Sequence, residues 1–532
     1  MSFYLTNPIS IPLKADKLVV TSKLCRLLRI KSNCLKSVTL YKRSIDARNK
    51  SNVHFVCSYV VDCNVTPVNA VPYAAPADVF CNAPKIKKQA SCVVIGAGPA
   101  GLFAALYLSQ CGLDVTVIER GADIEKRKTA VQSFFDGGGF NPETNVQFGL
   151  GGAGTFSDGK LTSGLGYTPL GRTVFTKFAE CGAPEEILYD ALPHIGTDRL
   201  AGVVADLRDE IISNGGKILF DSAVTDVILK DGKVVGVQVS SQSKVYGVFA
   251  DYTVLACGHS ARDTFEMLNR RGASMQFKPF AVGLRVEHTR GFIDNAQYGK
   301  MFASHRDLGS ASYKLTYKCA DGHGCYSFCM CPGGTVVAAN SQRDTVVVNG
   351  MSNYARNAAN SNSALVVTVD AQDAEKFGYG SDVFAGMRFQ QDLERKTYVA
   401  GGGGYAAPCQ NVTDFIANRT SVQFDVSPSY PRGVVGYNLR SLLPKTIGDN
   451  LAESLLAFDR KIVGFAQSGV LTAVETRTSS PVKILRDETY QSNLKRLYPA
   501  GEGAGYAGGI VSSAADGLKV AMAIAEDVLK CE

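Results

Sequence analysis

The stretch CVVIGAGPAGLFAALYLSQCGLDVTVIE, residues 92–119, constrains the fold of this chain more than any other. It begins with a short apolar run, which is typical of a buried parallel strand. Three glycines in G-x-G-x-x-G spacing follow, and then a helical pattern and a second strand. The first glycine permits a tight turn, the second lets the backbone approach a pyrophosphate, and the third lets the helix pack on the strand. This order predicts a βαβ dinucleotide-binding unit.

An acidic residue completes the pattern. Glu119 stands at the end of the second strand, 18 residues after Gly101. A carboxylate there can accept hydrogen bonds from an adenosine ribose without a 2′-phosphate, which favours FAD or NAD over NADP. The cofactor contacts predicted in this unit are Gly96, Gly98, Pro99, Ala100, Gly101, Glu119 and Arg120.

A second glycine-rich loop lies almost 400 residues later. Five glycines fall between Gly501 and Gly509, and a small, apolar, helix-like stretch follows. FAD is longer than one βαβ unit, and flavoproteins of the glutathione-reductase type return to it with a late loop and helix. The helix N-terminus can stabilise negative charge on the flavin. This loop therefore predicts FAD rather than NAD, with contacts from Gly501, Glu502, Gly509 and Ile510.

Three more stretches are predicted to touch the cofactor. A glycine-dense loop near residue 150 can approach the pyrophosphate or the flavin edge. A strand before a hairpin brings its backbone to the adenine, and the buried strand at 252–258 ends in a glycine turn. The residues concerned are Gly152, Gly154, Val224, Ala256 and Gly258.

At this point the chain resembles the uncharacterised bacterial-type FAD-dependent dehydrogenases, a family of NAD(P)/FAD-dependent oxidoreductases whose second half is called the FAD-dependent protein C-terminal domain. The resemblance covers nearly the whole chain and implies an FAD-dependent oxidoreductase, but it carries over no substrate. The stretches that carry it are Asn145–Gly164, Cys257–Leu268, Lys278–His288, Tyr326–Gly334, Glu475–Ile484 and the loop at 498–521.

We expect an α/β fold in which a glutathione-reductase-type, Rossmann-like FAD-binding domain is interrupted by a mixed α+β substrate domain. A small ferredoxin-like module precedes it, and four prolines mark a linker. The sequence contains no run of 18 consecutive apolar residues, so no membrane span is predicted. The predicted parts are a basic βαββ module at 1–66, a linker at 67–88, the FAD-binding domain at 89–272 and 479–532, and the inserted domain at 273–478.

The basic character of the chain belongs to its first ninety residues, which carry 14 Lys and Arg against 4 Asp. Helical spacing near 16–30 and strand-like alternation at 53–61 favour a folded module whose charge is a solvated face. Two alternatives remain open at this stage. The charge could recruit RNA or another polyanion, or the segment could be an organelle transit peptide.

The flavin would supply the chemistry and the protein the orientation. The candidate acid, base or cationic groups are Arg477, Lys160, Glu475 and Lys314; each has a buried or surface ion pair as its structural alternative. Arg477 could grip a carboxylate or phosphate in a bidentate way. Cys329 and Cys331 could form a redox relay, although inert thiols are the default interpretation. The six histidines are dispersed, so no metal site is predicted.

The sequence therefore predicts an FAD-dependent oxidoreductase, either a dehydrogenase or a reductase, that moves hydride between flavin N5 and a small-molecule substrate or electron carrier. NAD(P)H could be a transient donor, since no second nucleotide fingerprint is present. The alternatives are an RNA-associated flavoprotein and a flavoprotein that holds FAD structurally. The 15 scattered cysteines favour a reducing compartment, and the cytoplasm is the expected location.

Overall fold

A computed structural model describes residues 2–531 of the chain. The first part is an antiparallel sheet with one helix. Its elements are β1 (Phe3–Thr6), β2 (Ile9–Ile11), α1 (Lys17–Leu28), β3 (Leu35–Asp46), β4 (His54–Cys63) and β5 (Ala70–Pro72). The central strand is β4. It pairs with β3 along one edge and with β1 and β2, which are separated by Asn7 and Pro8, along the other.

This part does not confirm the predicted fold of the N-terminal module. A ferredoxin-like βαββαβ fold has two helices, whereas the described residues up to 72 contain one α-helix, so the ferredoxin-like expectation is not confirmed. The predicted linker begins with β5, which adds an edge strand to β1. Two basic residues dock the sheet on the rest of the chain. Arg43 donates to both oxygens of Asp190 at 2.7 and 3.0 Å, and Lys50 donates to the Ala296 carbonyl at 2.8 Å.

The fingerprint forms the βαβ unit at the centre of a parallel sheet. The elements of this part are β6 (Ser91–Ile95), α2 (Pro99–Cys111), β7 (Asp114–Ile118), α3 (Ile124–Phe135), α4 (Pro169–Glu180), α5 (Thr197–Ser213), β8 (Lys217–Leu219), β9 (Ala223–Lys230), β10 (Lys233–Ser241), β11 (Lys244–Phe249), β12 (Tyr252–Leu255) and α6 (Arg262–Arg270). Strands β9, β10 and β11 form a separate antiparallel sheet.

The next part of the chain is built on a seven-stranded mixed sheet. Its elements are β13 (Met275–Phe277), β14 (Phe280–Thr289), α7 (Arg290–Tyr298), β15 (Thr316–Lys318), β16 (Gly324–Cys331), β17 (Thr335–Ala338), β18 (Val348–Met351), β19 (Asn360–Val369), α8 (Ala371–Lys376), α9 (Ala385–Ala400), β20 (Ala407–Asn411), α10 (Val412–Ile416), β21 (Val434–Gly436), α11 (Lys445–Asp459) and β22 (Val470–Glu475). The strand order is β15-β16-β19-β14-β22-β20-β21.

The chain then returns to the parallel sheet. The last elements are β23 (Val482–Ile484), β24 (Leu497–Pro499) and α12 (Ile510–Lys530). The parallel sheet has the order β24-β12-β6-β7-β8. Parallel strands end at the same edge, so the loops after β6, β12 and β24 meet there. Helices α2 and α12 pack closely at Gly517, because this residue has no side chain. A Cβ there would lie only 2.1 Å from the Ala100 carbonyl oxygen. Within residues 2–531, no helix has both the length and the apolar character needed to cross a bilayer.

Candidate active site

A cavity of about 350 Å³ opens where the loops after β6, β12 and β24 meet. All the predicted cofactor-binding residues line it except Gly101 and Gly501. The lining members of that set are Gly96, Gly98, Pro99, Ala100, Glu119, Arg120, Gly152, Gly154, Val224, Ala256, Gly258, Glu502, Gly509 and Ile510. The structure therefore brings together loops that are far apart in the sequence, from Gly96 to Ile510.

Gly101 and Gly501 act one layer behind the cavity. A Cβ on Gly101 would lie 1.9 Å from the Gly96 carbonyl oxygen, so this glycine lets α2 pack on the fingerprint turn. A Cβ on Gly501 would lie 2.7 Å from the Ala100 Cβ, so this glycine brings the late loop against the start of α2. Their contribution is close packing of backbone rather than a place in the cavity wall.

Glu119 ties three loops together. Its carboxylate is buried and accepts hydrogen bonds from the backbone N–H groups of Ala97 at 2.8 Å and of Gly121 and Gly149 at 2.9 Å. The sequence predicted only a ribose contact. A carboxylate has about four acceptor positions, so one remains for a ribose hydroxyl. The structure thus adds an organising role to the predicted one.

Arg127 was missed by the sequence analysis and organises the glycine loop near residue 150. It is 0% exposed, and burial lowers the pKa of its guanidinium to about 9 while Glu119 raises it. It occupies the apolar stripe of α3 between Ile124 and Val131, which is the signal that could have revealed it. Its guanidinium donates to the carbonyls of Asn145 (3.0 Å), Val146 (3.0 Å), Gly149 (3.1 Å), Leu150 (2.6 Å) and Gly152 (2.9 Å).

Two titratable groups face each other beside the late glycine loop. Glu502 Oε1 lies 3.8 Å from His259 Nδ1, and both residues line the cavity. Burial raises the pKa of Glu502 to about 7, although Lys278 lowers it. Burial, together with the nearby Arg477 and Arg262, lowers the pKa of His259 to about 3. His259 is therefore neutral at physiological pH, and Glu502 can hold or release a proton there.

Arg477 lines the cavity, but a buried carboxylate already holds it. Its Nε and Nη2 donate to Glu394 at 3.0 and 2.7 Å, and its Nη1 donates to the hydroxyls of Ser260 and Ser341. Arg262 binds the same carboxylate from another side at 2.8 and 2.9 Å. Burial would raise the pKa of Glu394, but the two guanidinium groups hold it below its ordinary value. The buried ion pair that the sequence allowed as the alternative is therefore present, and the bidentate grip of Arg477 is made to Glu394.

Glu475 also lines the cavity and is paired inside the protein. Arg285 is fully buried and donates to Glu475 Oε2 at 2.9 Å and to Asn362 at 2.7 Å. Burial raises the pKa of Glu475, and the charge of Arg285 offsets part of that rise. The structural alternative that the sequence allowed is therefore present, although Glu475 remains at the wall of the cavity.

The two predicted lysines differ. Lys160 lines the cavity, and its Nζ lies 3.9 Å from Asp158, whose carboxylate is already bound by Arg356 and Ser352. Lys314 has an exposed side chain and does not line the cavity. Its two neighbours in the sequence are buried, so the chain there turns every second side chain outward. Lys314 is not part of the site, which corrects that prediction.

Cys329 and Cys331 both reach the cavity through a bulge in β16. The register of β16 against β19 shifts between Phe328 and Cys331, and Cys329 has a φ of 41°. Cys329 is exposed to the cavity, whereas Cys331 is buried and its thiol donates to the Cys329 carbonyl at 3.2 Å. In the part of the chain that the structure describes, no three His, Cys, Asp or Glu side chains are grouped so that they could hold a metal ion.

The fold and the cavity define a dinucleotide-binding flavoprotein. FAD fits the part lined by Gly96, Gly98, Gly152 and Gly154, because residues without side chains leave the backbone open to a ligand. Comparison with protein families agrees. Residues 90–284 match the pyridine nucleotide-disulphide oxidoreductase family, residues 279–478 match the FAD-dependent protein C-terminal domain, and residues 5–62 match a domain of unknown function. The protein is an FAD-dependent oxidoreductase, and FAD is its cofactor.

The chain belongs to the family of FAD-dependent proteins that includes an uncharacterized protein of Clostridium beijerinckii, with which it is 42% identical over 98% of both chains. A thiamine thiazole synthase of Methanococcus aeolicus is 29% identical over 177 residues, which are 32% of this chain and 55% of that protein. Among solved structures, a flavin-dependent brominase triple mutant is 12% identical with a TM-score of 0.38, over 83% of this chain and 81% of that one. That likeness is too distant to bear on the reaction.

Proposed function

We propose that this protein moves hydride between flavin N5 and a small-molecule substrate that binds where residues 273–478 reach the FAD cavity. The observation that carries the proposal is the shared lining. The glycine loops of the parallel sheet form one part of the wall, and the inserted segment forms the other through Phe328, Cys329, Cys331, Asn349, Gly350, Glu475, Arg477 and Thr478. We further propose that the segments 89–272 and 479–532 act as one FAD-binding domain and 273–478 as the substrate domain.

Bound FAD supplies the redox chemistry, because its isoalloxazine ring can accept or donate a hydride. The chain's own residues orient the substrate and handle protons. Glu502 is a candidate to hold a proton near neutral pH, since burial raises its pKa to about 7. The neutral His259 beside it can donate or accept a hydrogen bond without adding charge. This arrangement supports acid–base assistance at the end of the cavity that the late loop closes.

Anaerobic reduction tests the proposal. The purified protein, reconstituted with FAD, is mixed with NADH or NADPH, and the visible flavin absorbance is followed. Bleaching would identify a reductase that takes electrons from a nicotinamide without a separate domain for it. An unbleached flavin that a small-molecule substrate reduces would identify a dehydrogenase. If photoreduced flavin were inert to every donor and acceptor tried, FAD would be held structurally and the proposal would be wrong.

The location and the partners are also proposals. All fifteen cysteines are free, as a reducing compartment favours, and we propose the cytoplasm. A small molecule or an electron carrier is the proposed partner. RNA binding by the basic N-terminal module stays a prediction, which salt-dependent binding that is lost on deletion of residues 1–70 would support.

A further inference from the structure

One part of the cavity wall is polar and comes mainly from outside the glycine loops. We call it the polar wall and define it as Asp158, Lys160, Asn349, Glu475 and Arg477, all of which line the cavity. The rest of the lining consists mainly of glycines, apolar residues and hydroxyl side chains, and its charged members are Glu119, Arg120 and Glu502. What the polar wall can bind depends on which of its charges are already compensated.

Two of its carboxylates are compensated inside the protein. Asp158 is buried and is bound by Arg356, whose Nε donates at 3.0 Å. Glu475 is buried and is bound by Arg285 at 2.9 Å. Each pair contributes one negative and one positive charge, so neither leaves a net charge at the wall.

The cations of the wall are in excess. Glu394 is shared by two guanidinium groups, those of Arg262 and Arg477, so this cluster of three carries a net positive charge. Lys160 adds a second uncompensated positive charge. Among the described residues, the only carboxylate within 4 Å of its Nζ is that of Asp158, at 3.9 Å, and Arg356 already neutralises that carboxylate. Buried or partly buried charges are screened weakly, so this excess favours an anion in the cavity.

Two groups of the wall have hydrogen bonds to spare. The Lys160 ammonium has three donors, and within residues 2–531 none is used in a hydrogen bond, whereas its side chain is 31% exposed in the cavity. The Asn349 carbonyl oxygen accepts from Arg285 and Gly350, but its amide nitrogen donates to no described residue. Both groups are hydrogen-bond donors, and the oxygens of a carboxylate are acceptors.

We propose that the polar wall binds the carboxylate of a small anionic substrate, with Lys160 and Asn349 as its partners. The inference rests on the proposed function and adds the substrate class to it. The two free donor groups suit the two oxygens of a carboxylate. The further oxygens of a phosphate would lie beside Glu475 and Asp158, whose ionised carboxylates have no proton to donate, so the carboxylate fits this wall better. The substrate is small, because it shares this cavity of about 350 Å³ with FAD.

Calorimetric titration of the FAD-loaded protein with acetate, glycolate and inorganic phosphate tests this, with the flavin spectrum recorded at each step. We expect saturable binding of the two carboxylates that weakens as salt rises, and weaker binding of phosphate. Lys160→Met should weaken carboxylate binding at least tenfold and Asn349→Ala at least threefold, whereas Lys160→Arg should keep most of it. Lys314→Met, which removes an exposed lysine outside the cavity, is the matched control and should change nothing.

Three outcomes would overturn the inference. Phosphate binding as tightly as acetate would contradict the carboxylate class. No carboxylate binding in a protein with a normal flavin spectrum would contradict the inference and leave the proposed function standing. Loss of FAD from Lys160→Met, with its fold intact, would assign Lys160 to the cofactor instead. Failure of the proposed function is a separate result, since it would appear as flavin that no donor reduces even though carboxylates bind.

Discussion

Arg477 donates two hydrogen bonds to the carboxylate of Glu394, at 3.0 Å from Nε and at 2.7 Å from Nη2. Both side chains are buried, and Arg262 holds the same carboxylate. The contact joins α9 to the segment just after β22, two parts of the chain that lie 83 residues apart. Glu394 therefore fixes the Arg477 guanidinium, which forms part of the cavity wall.

Replacing Glu394 by glutamine should destabilise the protein. Glu394→Gln removes the negative charge and leaves two buried guanidinium groups next to each other. Breaking a buried ion pair in this way costs about 3–5 kcal/mol, and we expect the thermal unfolding midpoint to fall by several degrees. The control is Glu125→Gln, which breaks a surface pair with Lys128 in which the glutamate side chain is 80% exposed. Equal midpoints for the two variants would contradict the assignment.

Replacing Gly152 by alanine should weaken FAD binding. Gly152 has a φ of +62°, and a Cβ there would lie 3.1 Å from the Gly98 Cα on the facing loop. A left-handed alanine costs about 1–2 kcal/mol, and the loops must also separate, so we expect at least a tenfold rise in the Kd for FAD. Fluorescence titration of the stripped protein measures it.

The matched control for that variant is Gly202→Ala. Gly202 lies in α5, and a Cβ there would meet nothing within 4 Å. Alanine in a helix interior is better than glycine by about 0.5–1 kcal/mol, so this variant should bind FAD normally and unfold at the same temperature or slightly higher. If Gly152→Ala and Gly202→Ala bound FAD with the same Kd, the loop would accommodate a Cβ at residue 152 without loss of affinity.

Replacing Arg127 should also release FAD, for a different reason. Arg127→Met removes the guanidinium that donates to five carbonyls of the loop at 145–152, although the carbonyls of Gly149 and Leu150 each keep a second donor. A hydrogen bond to a charged group contributes about 1.5–3 kcal/mol, so we expect both a lower unfolding midpoint and at least a tenfold weaker affinity for FAD. Arg306→Met, at an exposed arginine, should change neither. Retention of FAD by Arg127→Met during dialysis would argue against this role.

The glycine-lined part of the cavity was largely predictable from sequence because its signals are local. The fingerprint glycines stand at fixed spacings, and each spacing has a direct steric reason, as the close approach of Gly101 to the Gly96 carbonyl shows. The late loop was found because a glycine cluster before a helix is rare without a ligand or a neighbouring backbone. In both cases a few adjacent residues determine the geometry.

The polar wall was less predictable because its interactions join residues that are distant in sequence. Arg477 was expected to face a ligand, yet its partner Glu394 lies 83 residues away and carries no motif. Lys314 was expected near the flavin, but the alternation of buried and exposed residues turns it to solvent. Pairings of this kind follow from the register of a large sheet, which one sequence does not reveal.

The pH dependence of stability should report on Glu502. Burial raises its pKa in the folded protein to about 7, above the ordinary 4.5, so the folded state binds the proton more tightly than the unfolded chain. Stability from this group is therefore present below pH 4.5 and is lost as the pH rises through about 7. Glu502→Gln mimics the protonated form and should keep this contribution to stability at every pH.

Unfolding midpoints of wild type and Glu502→Gln from pH 4 to 8 measure this effect. We expect the free energy of unfolding of the variant to increase relative to that of the wild type as the pH rises, by at most about 3 kcal/mol at pH 8. Glu488→Gln, at an exposed carboxyl, should run parallel to the wild type throughout. A constant difference between wild type and Glu502→Gln across this range would show that Glu502 ionises in the folded protein as it does in the unfolded chain.

The reactivity of Cys329 should distinguish an inert thiol from a redox relay. Its side chain is open to the cavity, but the surrounding protein raises the pKa of the thiol to about 12, and Lys160 lowers it only in part. Since the thiolate is the reactive form, we expect iodoacetamide at pH 8 to label Cys329 at least about a hundredfold more slowly than N-acetylcysteine in the same solution.

The labelling rate should then rise about tenfold for each pH unit up to pH 10, because the thiolate fraction grows by that factor well below the pKa. Mass spectrometry of the peptide that contains Cys329 gives the rate, and Cys329→Ser confirms the peptide. Labelling at pH 8 as fast as that of N-acetylcysteine would mean a low-pKa thiol. It would favour a redox partnership with Cys331, whose thiol lies within hydrogen-bond distance of the Cys329 carbonyl.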